Sequence, residues 1–292
     1  MDGTGVGLRE RHVVGVMSNE HIARTLCTQT VNSPSLRMIP KPPAPTSYRV
    51  PSVFTPFSTL IAAESTRHGG ISPAPFASLN LGINTDDDPA NVDENRRRFF
   101  GRIGADAFGF AQLHQVHGTD VMTVTEAGRF EGYDALITNR PGLLLGVTVA
   151  DCVPILIYDA EHQAVAAIHA GWRGTVGGIV TKTLTAMQQQ FGTAGPQCCA
   201  YVGTCIDEST FEVGEEVAGQ FAPAFVWVDP IRQKTCADLK AANVSLLTSF
   251  GVPTAQIEVS AYSTVLNNDD YFSYRAEAGQ TGRMLTVVGI RS

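Results

Sequence analysis

Short apolar runs broken by polar residues dominate the middle of the chain. Residues 143–149, 153–158 and 164–168 are mostly apolar and rich in β-branched side chains, which is typical of strands buried on both faces. The polar residues 159–163 between the last two runs predict a hairpin turn. In residues 175–191 the apolar positions instead recur every three or four residues, which predicts a helix.

The same patterns predict elements on both sides of this stretch. Further strands are predicted at residues 57–63, 121–125, 134–138, 198–203, 225–228, 257–261 and 284–290. Further helices are predicted after Asp88-Pro89, from a capping box at residues 209–212 to about residue 221, and over residues 238–250. Strands outnumber helices and the two alternate only in places, so the pattern predicts a mixed α/β (α+β) single domain.

The N-terminal part of the chain lacks such patterning. Residues 1–50 show no clear periodicity, and residues 39–46 are rich in proline. We therefore predict a disordered extension over residues 1–50 and one folded domain over residues 51–292.

Composition narrows the class of protein. The chain has 292 residues, of which 43% are hydrophobic and 17% charged, with a net charge of −7. This charge argues against nucleic-acid binding, and no basic amphipathic helix suggests membrane binding. No apolar run is long enough to cross a bilayer, and the N-terminal residues do not resemble a signal peptide, so a cytoplasmic location is expected. The six cysteines are too sparse and irregular for a disulfide scaffold.

Three reactive side chains follow or end predicted strands. Cys152 lies between two apolar runs, His169 ends the third, and His117 precedes a glycine before another strand. One thiolate and two imidazoles form a donor set that suits zinc, with a fourth position left open for chemistry. Two alternatives remain: Cys152 as a nucleophile with His169 as its base, or a buried cysteine and histidine without a chemical role.

The segment His169-Ala-Gly-Trp-Arg-Gly174 turns a predicted strand into a predicted helix. Free backbone N–H groups at such a helix start attract anions, and Arg173 could add a bidentate phosphate contact. Equally, Arg173 could be an exposed residue and Trp172 part of the core.

Several motifs resemble those of one known family, the YfiH or laccase-domain family, from about residue 53 to the C-terminus. The matching segments are residues 66–70, 78–82, 115–118, 150–154, 169–174, 211–214 and 272–275. The chain departs from the family's usual residues at residues 203–206, at Ser263-Thr264 and at residues 275–278. None of these segments contains one of the three predicted metal ligands.

The resemblance implies a fold and an activity. Family members adopt a mixed α/β sandwich with flanking helices, related to cytotoxic necrotizing factor deamidases, and bind one zinc through residues matching His117, Cys152 and His169. Their activities are phosphorolysis of adenosine, inosine, guanosine and methylthioadenosine, and deamination of adenosine. Some bacterial members instead edit peptidoglycan precursors by removing a wrongly loaded serine.

An older family label, polyphenol oxidase, implies multicopper chemistry, which needs many clustered imidazoles. The chain has seven histidines and no His-x-His pair, and His12 and His21 fall in the predicted extension. We therefore discount a multicopper centre.

The sequence thus predicts a zinc enzyme acting on purine nucleosides, with a small-molecule substrate and an oligomeric state left open. Cys152, His169, Arg67 and Arg173 are predicted to be catalytic, and Cys152 and His169 are also predicted metal ligands. Arg67, Arg173 or Arg275 is predicted to hold phosphate, and Trp172 to contact the substrate. The alternatives are a cell-wall-precursor amidase, a Cys/His hydrolase and a zinc-stabilised interaction module without turnover.

Overall fold

The structure, a computed structural model, describes residues 46–292. Its strands are β1 (Tyr48–Arg49), β2 (Leu60–Ser65), β3 (Gly109–His114), β4 (Val121–Thr123), β5 (Gly128–Glu131), β6 (Ala135–Thr138), β7 (Leu143–Val149), β8 (Val153–Asp159), β9 (Ala164–Ala170), β10 (Cys198–Val202), β11 (Val226–Val228), β12 (Thr235–Ala237), β13 (Ile257–Val259) and β14 (Met284–Ile290). Its α-helices are α1 (Pro89–Ile103), α2 (Trp172–Val176), α3 (Ile179–Phe191), α4 (Glu215–Ala218) and α5 (Leu239–Ser249). None of these helices is long and apolar enough to cross a membrane.

Two six-stranded mixed sheets form the centre of the fold. The first sheet has the strand order β1-β2-β14-β7-β3-β5, and the second has the order β13-β10-β8-β9-β6-β4. Side chains from both sheets share one buried cluster, which includes Leu145 and Val147 from the first and Leu156 and Val165 from the second. The two sheets therefore pack face to face as a sandwich.

Helices cover the outer face of each sheet. On the second sheet, Ile155 and Ile157 pack in one cluster with Leu184 and Met187 of α3. On the first sheet, Phe99 of α1 packs in a cluster with residues of β2, β7 and β14. This layered arrangement confirms the predicted mixed α/β sandwich with flanking helices.

Burial on both faces explains the continuous apolar runs in the middle of the sequence. All seven residues of β8 and of β9 are buried, and β7 is buried at every position except Thr148. Alternate residues of β8 face the other sheet and the helices, so no position favours a polar side chain. The three central strands and their hairpin turn are therefore confirmed.

Two predicted helices differ from the structure. The helix predicted over residues 175–191 is divided into α2 and α3 at Gly177 and Gly178, and Gly178 has the left-handed φ of 76°. The capping box predicted at residues 209–212 does not start a helix. The carboxylate of Asp207 instead accepts hydrogen bonds from the Ser209 N–H at 2.9 Å and the Thr210 hydroxyl at 2.7 Å, which forms a turn, and helix α4 begins only at Glu215.

The predicted domain boundary at residue 50 lies a few residues too late. Tyr48 and Arg49 form β1, which pairs antiparallel with β2. The Arg49 side chain donates a hydrogen bond from Nε to the Tyr271 hydroxyl at 2.7 Å, and the Tyr48 ring lies edge-on to Phe99 at 6.5 Å between centroids. The rest of the predicted extension, residues 1–45, lies outside the described residues.

These contacts generate a prediction about truncation. Deleting residues 1–45 should leave the melting temperature nearly unchanged, because the sequence there shows no segment patterned to pack. Deleting residues 1–50 should lower it by several degrees, because the deletion also removes β1 and the Arg49–Tyr271 hydrogen bond. Thermal unfolding of the two truncations and the full chain checks this, and equal melting temperatures for both truncations would contradict the role given to β1.

Candidate metal centre and cavity

The fold brings His117, Cys152 and His169 together at one end of the sandwich. Cys152 directly precedes β8, and His169 lies near the end of the neighbouring strand β9, opposite Pro154. His117 lies in the loop after β3. One ligand atom from each side chain lies within 4.8 Å of the other two. The three residues predicted as metal ligands therefore form one cluster.

One buried carboxylate, that of Asp134, organises two of these three residues. It accepts hydrogen bonds from three consecutive backbone N–H groups in the loop of residues 116–118, at 3.3, 2.9 and 2.6 Å. It also lies 2.8 Å from Nδ1 of His169. The loop needs such support because His117 has the left-handed φ of 60°, which is unfavourable for a residue other than glycine.

The Asp134 contact fixes the orientation of His169. The imidazole is only 3% exposed, and with Nδ1 directed at the carboxylate, Nε2 is the nitrogen free to bind a ligand. Burial raises the pKa of the carboxyl, but hydrogen bonds and charge from His169 outweigh it and hold the pKa of Asp134 below its ordinary value. Asp134 therefore stays ionised and accepts every hydrogen bond that it makes here.

A second carboxylate, that of Asp151, shapes the turn that presents Cys152. Asp151 has a φ of 91°, again in the left-handed region. Its carboxylate accepts hydrogen bonds from the hydroxyls of Thr264 at 2.5 Å and Ser273 at 2.7 Å, and from the backbone N–H of Arg275 at 2.6 Å. These contacts stabilise a backbone conformation that places the Cys152 thiol beside the two imidazoles.

The thiol and the buried imidazole stabilise each other's charged forms. Burial raises the pKa of Cys152, but the charge of His169 and hydrogen bonds from both histidines outweigh it and lower the pKa to about 6. Burial lowers the pKa of His169, but the Cys152 thiolate and Asp134 together raise it to about 9. Near neutral pH the metal-free pair is therefore a thiolate and an imidazolium.

The three side chains fit a metal ion. Thiolate and imidazole are good ligands for transition metals, and ligand atoms within 4.8 Å need only small shifts to reach the spacing of a tetrahedral site. The backbone also approaches closely: a Cβ at Gly171 would lie 3.0 Å from the His117 ring and 3.2 Å from the Cys152 sulfur. Within residues 46–292 no second group of three or more His, Cys, Asp or Glu ligands is found.

A cavity of about 540 Å³ opens beside this cluster. Its volume is in the range typical of small-molecule sites. Its walls combine aromatic rings, amides and arginines: Trp172, Phe211, Tyr274, Asn84, Gln112, Gln115, Arg96, Arg275 and Arg283. The cavity therefore offers both flat apolar surfaces and cationic groups to a ligand at the cluster.

The other predicted site residues divide into two pairs. Trp172 and Arg275 line the cavity, as a role in substrate binding requires. Arg173 is exposed and stacks over the Trp172 ring at 4.3 Å, outside the cavity lining. Arg67 is also outside the lining. Its guanidinium donates to the Ala77 and Asn268 carbonyls and to Glu277, so it ties loops together.

The sequence reasoning missed Asp134, Arg96 and Arg283. Asp134 could be taken only as the first residue of a predicted strand, since its partners lie 16 to 35 positions away in the chain. The two arginines lie in a helix and in a glycine-flanked turn, where an arginine is most often solvated. His114, close to His117 in the sequence, is exposed and pairs with Glu131 at 2.6 Å instead of joining the cluster.

The fold and site define a class of protein, an α/β sandwich with a Cys-His₂ group beside a cavity, and sequence comparison gives the family. The family model described as "Multi-copper polyphenol oxidoreductase laccase" matches residues 61–291. The purine nucleoside phosphorylase of Deinococcus radiodurans is 42% identical over 82% of this chain and 93% of the relative. Purine nucleoside phosphorylase YfiH of Escherichia coli K12 is 36% identical over 78% of this chain and 93% of the relative. The chain belongs to this laccase-domain, or YfiH, family.

A solved structure supports the same conclusion. The crystal structure of YlmD from Geobacillus stearothermophilus superposes with a TM-score of 0.77 at 34% identity. The superposition covers 82% of this chain and 94% of YlmD. The family resemblance and the fold class predicted from the sequence motifs are therefore confirmed.

The shared carboxylate generates a prediction about metal affinity. Asp134→Asn removes the charge that orients His169 and that receives the N–H groups of residues 116–118. Zinc affinity should fall by about 10- to 100-fold, as is usual for such outer partners of metal ligands. Competition titration with a chromophoric chelator measures this. The neighbouring exposed carboxylate offers a matched control, Asp120→Asn, and an equal loss in both variants would contradict the role given to Asp134.

The thiolate–imidazolium pair generates a second prediction. Between the pKa values of about 6 for Cys152 and about 9 for His169, the metal-free pair carries one proton. Zinc needs the thiolate and the neutral imidazole, so the pair should release about one proton on binding in this range. Release should fall as pH rises through the higher pKa and increase as pH falls through the lower one. Calorimetry in buffers of different ionisation enthalpy counts the protons. Release that stays the same from below the lower pKa to above the higher pKa would show that the pair is not charged as described.

Proposed function

We propose that this chain is a zinc-dependent purine nucleoside phosphorylase that also deaminates adenosine. The observation that carries the proposal is the Cys-His₂ group beside a cavity of about 540 Å³, large enough for a nucleoside. Relatives that align over more than nine-tenths of their length are named purine nucleoside phosphorylases. The proposed substrates are adenosine, inosine, guanosine and methylthioadenosine.

Zinc is the proposed metal because one thiolate and two imidazoles match its preferred ligands. His117, Cys152 and His169, which all line the cavity, would hold it. Zinc bound there would supply a Lewis acid next to the substrate. The chain's own contribution is to hold Cys152 as a thiolate and to direct Nε2 of His169 towards the ion through Asp134.

The cavity walls suit the two halves of a nucleoside. The aromatic rings of Trp172, Phe211 and Tyr274 offer apolar surfaces on which a purine can stack. Cationic side chains line the same space and suit phosphate. In phosphorolysis a phosphate oxygen bonds to the anomeric carbon, the glycosidic C–N bond breaks, and its electron pair leaves with the purine, which takes up a proton. The products are the free base and the 1-phosphate of the sugar.

Deamination uses the same centre without phosphate. Water adds to the purine carbon that carries the amine, and ammonia leaves. The observation that favours this second activity is that the Cys-His₂ group offers three protein ligands and lines the cavity; zinc held there would supply activated water, as it does in hydrolytic sites with three protein ligands. An amidase acting on peptidoglycan precursors would use the same chemistry and is the alternative.

The Cys152–His169 pair supports a third possibility, a metal-free thiol hydrolase. A thiolate with a pKa of about 6 beside an imidazolium is also the arrangement of a cysteine nucleophile and its base. The two mechanisms differ in what abolishes activity. Chelation of the metal should inactivate the zinc enzyme, whereas the thiol hydrolase should survive chelation and be inactivated by alkylation of Cys152.

The central prediction concerns purified, zinc-loaded protein with a panel of nucleosides. Base release should require phosphate and rise with its concentration, and ammonia release from adenosine should proceed without it. Cys152→Ala should lose both zinc and both activities, because it removes one of three ligands. Full zinc content in this variant would refute the ligand assignment. No turnover of any nucleoside by zinc-loaded wild type would favour the amidase or the non-enzymatic interaction module.

A further inference from the structure

The cavity is cationic within an acidic chain. The protein has a net charge of −7, yet three arginines, Arg96, Arg275 and Arg283, line the cavity against one carboxylate, that of Asp151. The Asp151 carboxylate is engaged with Thr264, Ser273 and the backbone of Arg275. An excess of positive charge on a concave surface attracts anions. The three guanidinium groups differ, however, in how many of their N–H groups are free to bind an anion.

Two of the three arginines are committed to the protein. Arg96 donates from Nε and Nη2 to the Leu81 carbonyl, at 2.9 and 2.7 Å, and from Nη1 to Gln112 at 2.9 Å. Arg275 donates from both terminal nitrogens to the carbonyls of Thr210 and Glu212, each at 3.3 Å. Arg96 therefore already uses the edge formed by Nε and Nη2, and Arg275 uses the edge formed by its two terminal nitrogens. Arg275 is also exposed, whereas Arg283 is partly buried.

Arg283 is engaged through one nitrogen alone. Nη1 donates to the carbonyls of Thr281 at 2.8 Å and Gly282 at 2.9 Å. Within residues 46–292, Nε and Nη2 have no hydrogen-bond partner. These two nitrogens lie on the same edge of the guanidinium plane, so their N–H groups form a planar fork that matches two oxygens of a phosphate.

The Arg283 side chain is also held in place before any ligand binds. Its backbone N–H donates to Asn80 at 2.9 Å, and its guanidinium lies 5.6 Å from the centre of the Tyr274 ring. The loop of residues 80–82 packs so closely that a Cβ at Gly82 would lie 2.6 Å from Cγ of Arg283. Arg283 lines the same cavity as Asp151 and Cys152, so it lies beside the metal cluster. A fixed donor pair loses little entropy on binding an anion.

We propose that Arg283 is the phosphate-binding residue of the cavity and grips inorganic phosphate through Nε and Nη2. The proposal rests on the proposed phosphorolysis and specifies the residue that binds its second substrate. It replaces the earlier candidates, because Arg67 ties loops outside the cavity, Arg173 lies outside the lining, and Arg275 holds two carbonyls.

The test uses the full zinc-loaded chain and inorganic phosphate. Arg283→Gln should raise the KM for phosphate by about tenfold or more, as expected for losing two charge-assisted hydrogen bonds. The KM for the nucleoside, zinc content and phosphate-independent adenosine deamination should change much less. Arg283→Lys should recover part of the affinity, since it restores the charge but not the fork. Arg140→Gln, which removes the same charge from an exposed position outside the cavity, should behave as wild type.

Direct binding of phosphate, measured by calorimetry on the same variants, separates this inference from the proposed function. If wild type binds phosphate and Arg283→Gln does not, the assignment of Arg283 stands even where no nucleoside is cleaved. If Arg283→Gln keeps wild-type phosphate affinity while Arg275→Gln loses it, the assignment is overturned. If both Arg283 variants lose zinc along with phosphate affinity, Arg283 supports the metal cluster and the assignment is likewise overturned.

Discussion

The candidate site depends on one buried anion. The Asp134 carboxylate receives three backbone N–H groups from the loop that carries His117 and also contacts His169 at 2.8 Å. It thereby links two residues of the candidate metal site, one in the loop after β3 and one on β9, and leaves Nε2 of His169 as the ring nitrogen free to bind a ligand. A neutral residue could not stabilise the imidazolium that the Cys152 thiolate favours. The loop conformation, the tautomer of His169 and the charge of the thiol are thus coupled through a single side chain.

The sequence predicted what local chemistry determines. The strands β7, β8 and β9 were predictable because burial on both faces leaves nearly continuous apolar runs. The Cys-His₂ cluster was predictable because a cysteine and two histidines beside predicted strands form a recognisable donor set for a metal. Asp134 was not, because an aspartate before a strand resembles an ordinary turn residue and its partners are distant in the chain. The turn at Ser209 was also missed, since Asp207 provides competing hydrogen bonds where the sequence suggested a helix cap.

The roles of the arginines were also difficult to predict from the sequence. Whether a guanidinium is free depends on the carbonyls near it, and these come from loops far apart in sequence. Arg67 is held by Asn268 and Glu277, about 200 positions away, and the sequence offers no sign of that contact. The sequence could therefore predict that an arginine binds phosphate. Choosing one arginine required knowledge of the hydrogen-bond partners of each guanidinium group.

The division of the cavity wall between strands and loops suggests how members of the family could differ in substrate. The sandwich supplies Cys152 and His169 from paired strands, while loops supply most of the remaining wall. The segments in which this chain departs from the family's usual residues lie in or against those loops, and Ile206 and Arg275 line the cavity directly. Thr264 donates to Asp151, Ser263 donates to Asp207, and Glu277 pairs with Arg67. None of these residues belongs to the Cys-His₂ cluster. Substitutions at these positions can therefore change the cavity walls and leave the cluster intact. Substrate preference can then change with the loops, while the chemistry stays with the strands.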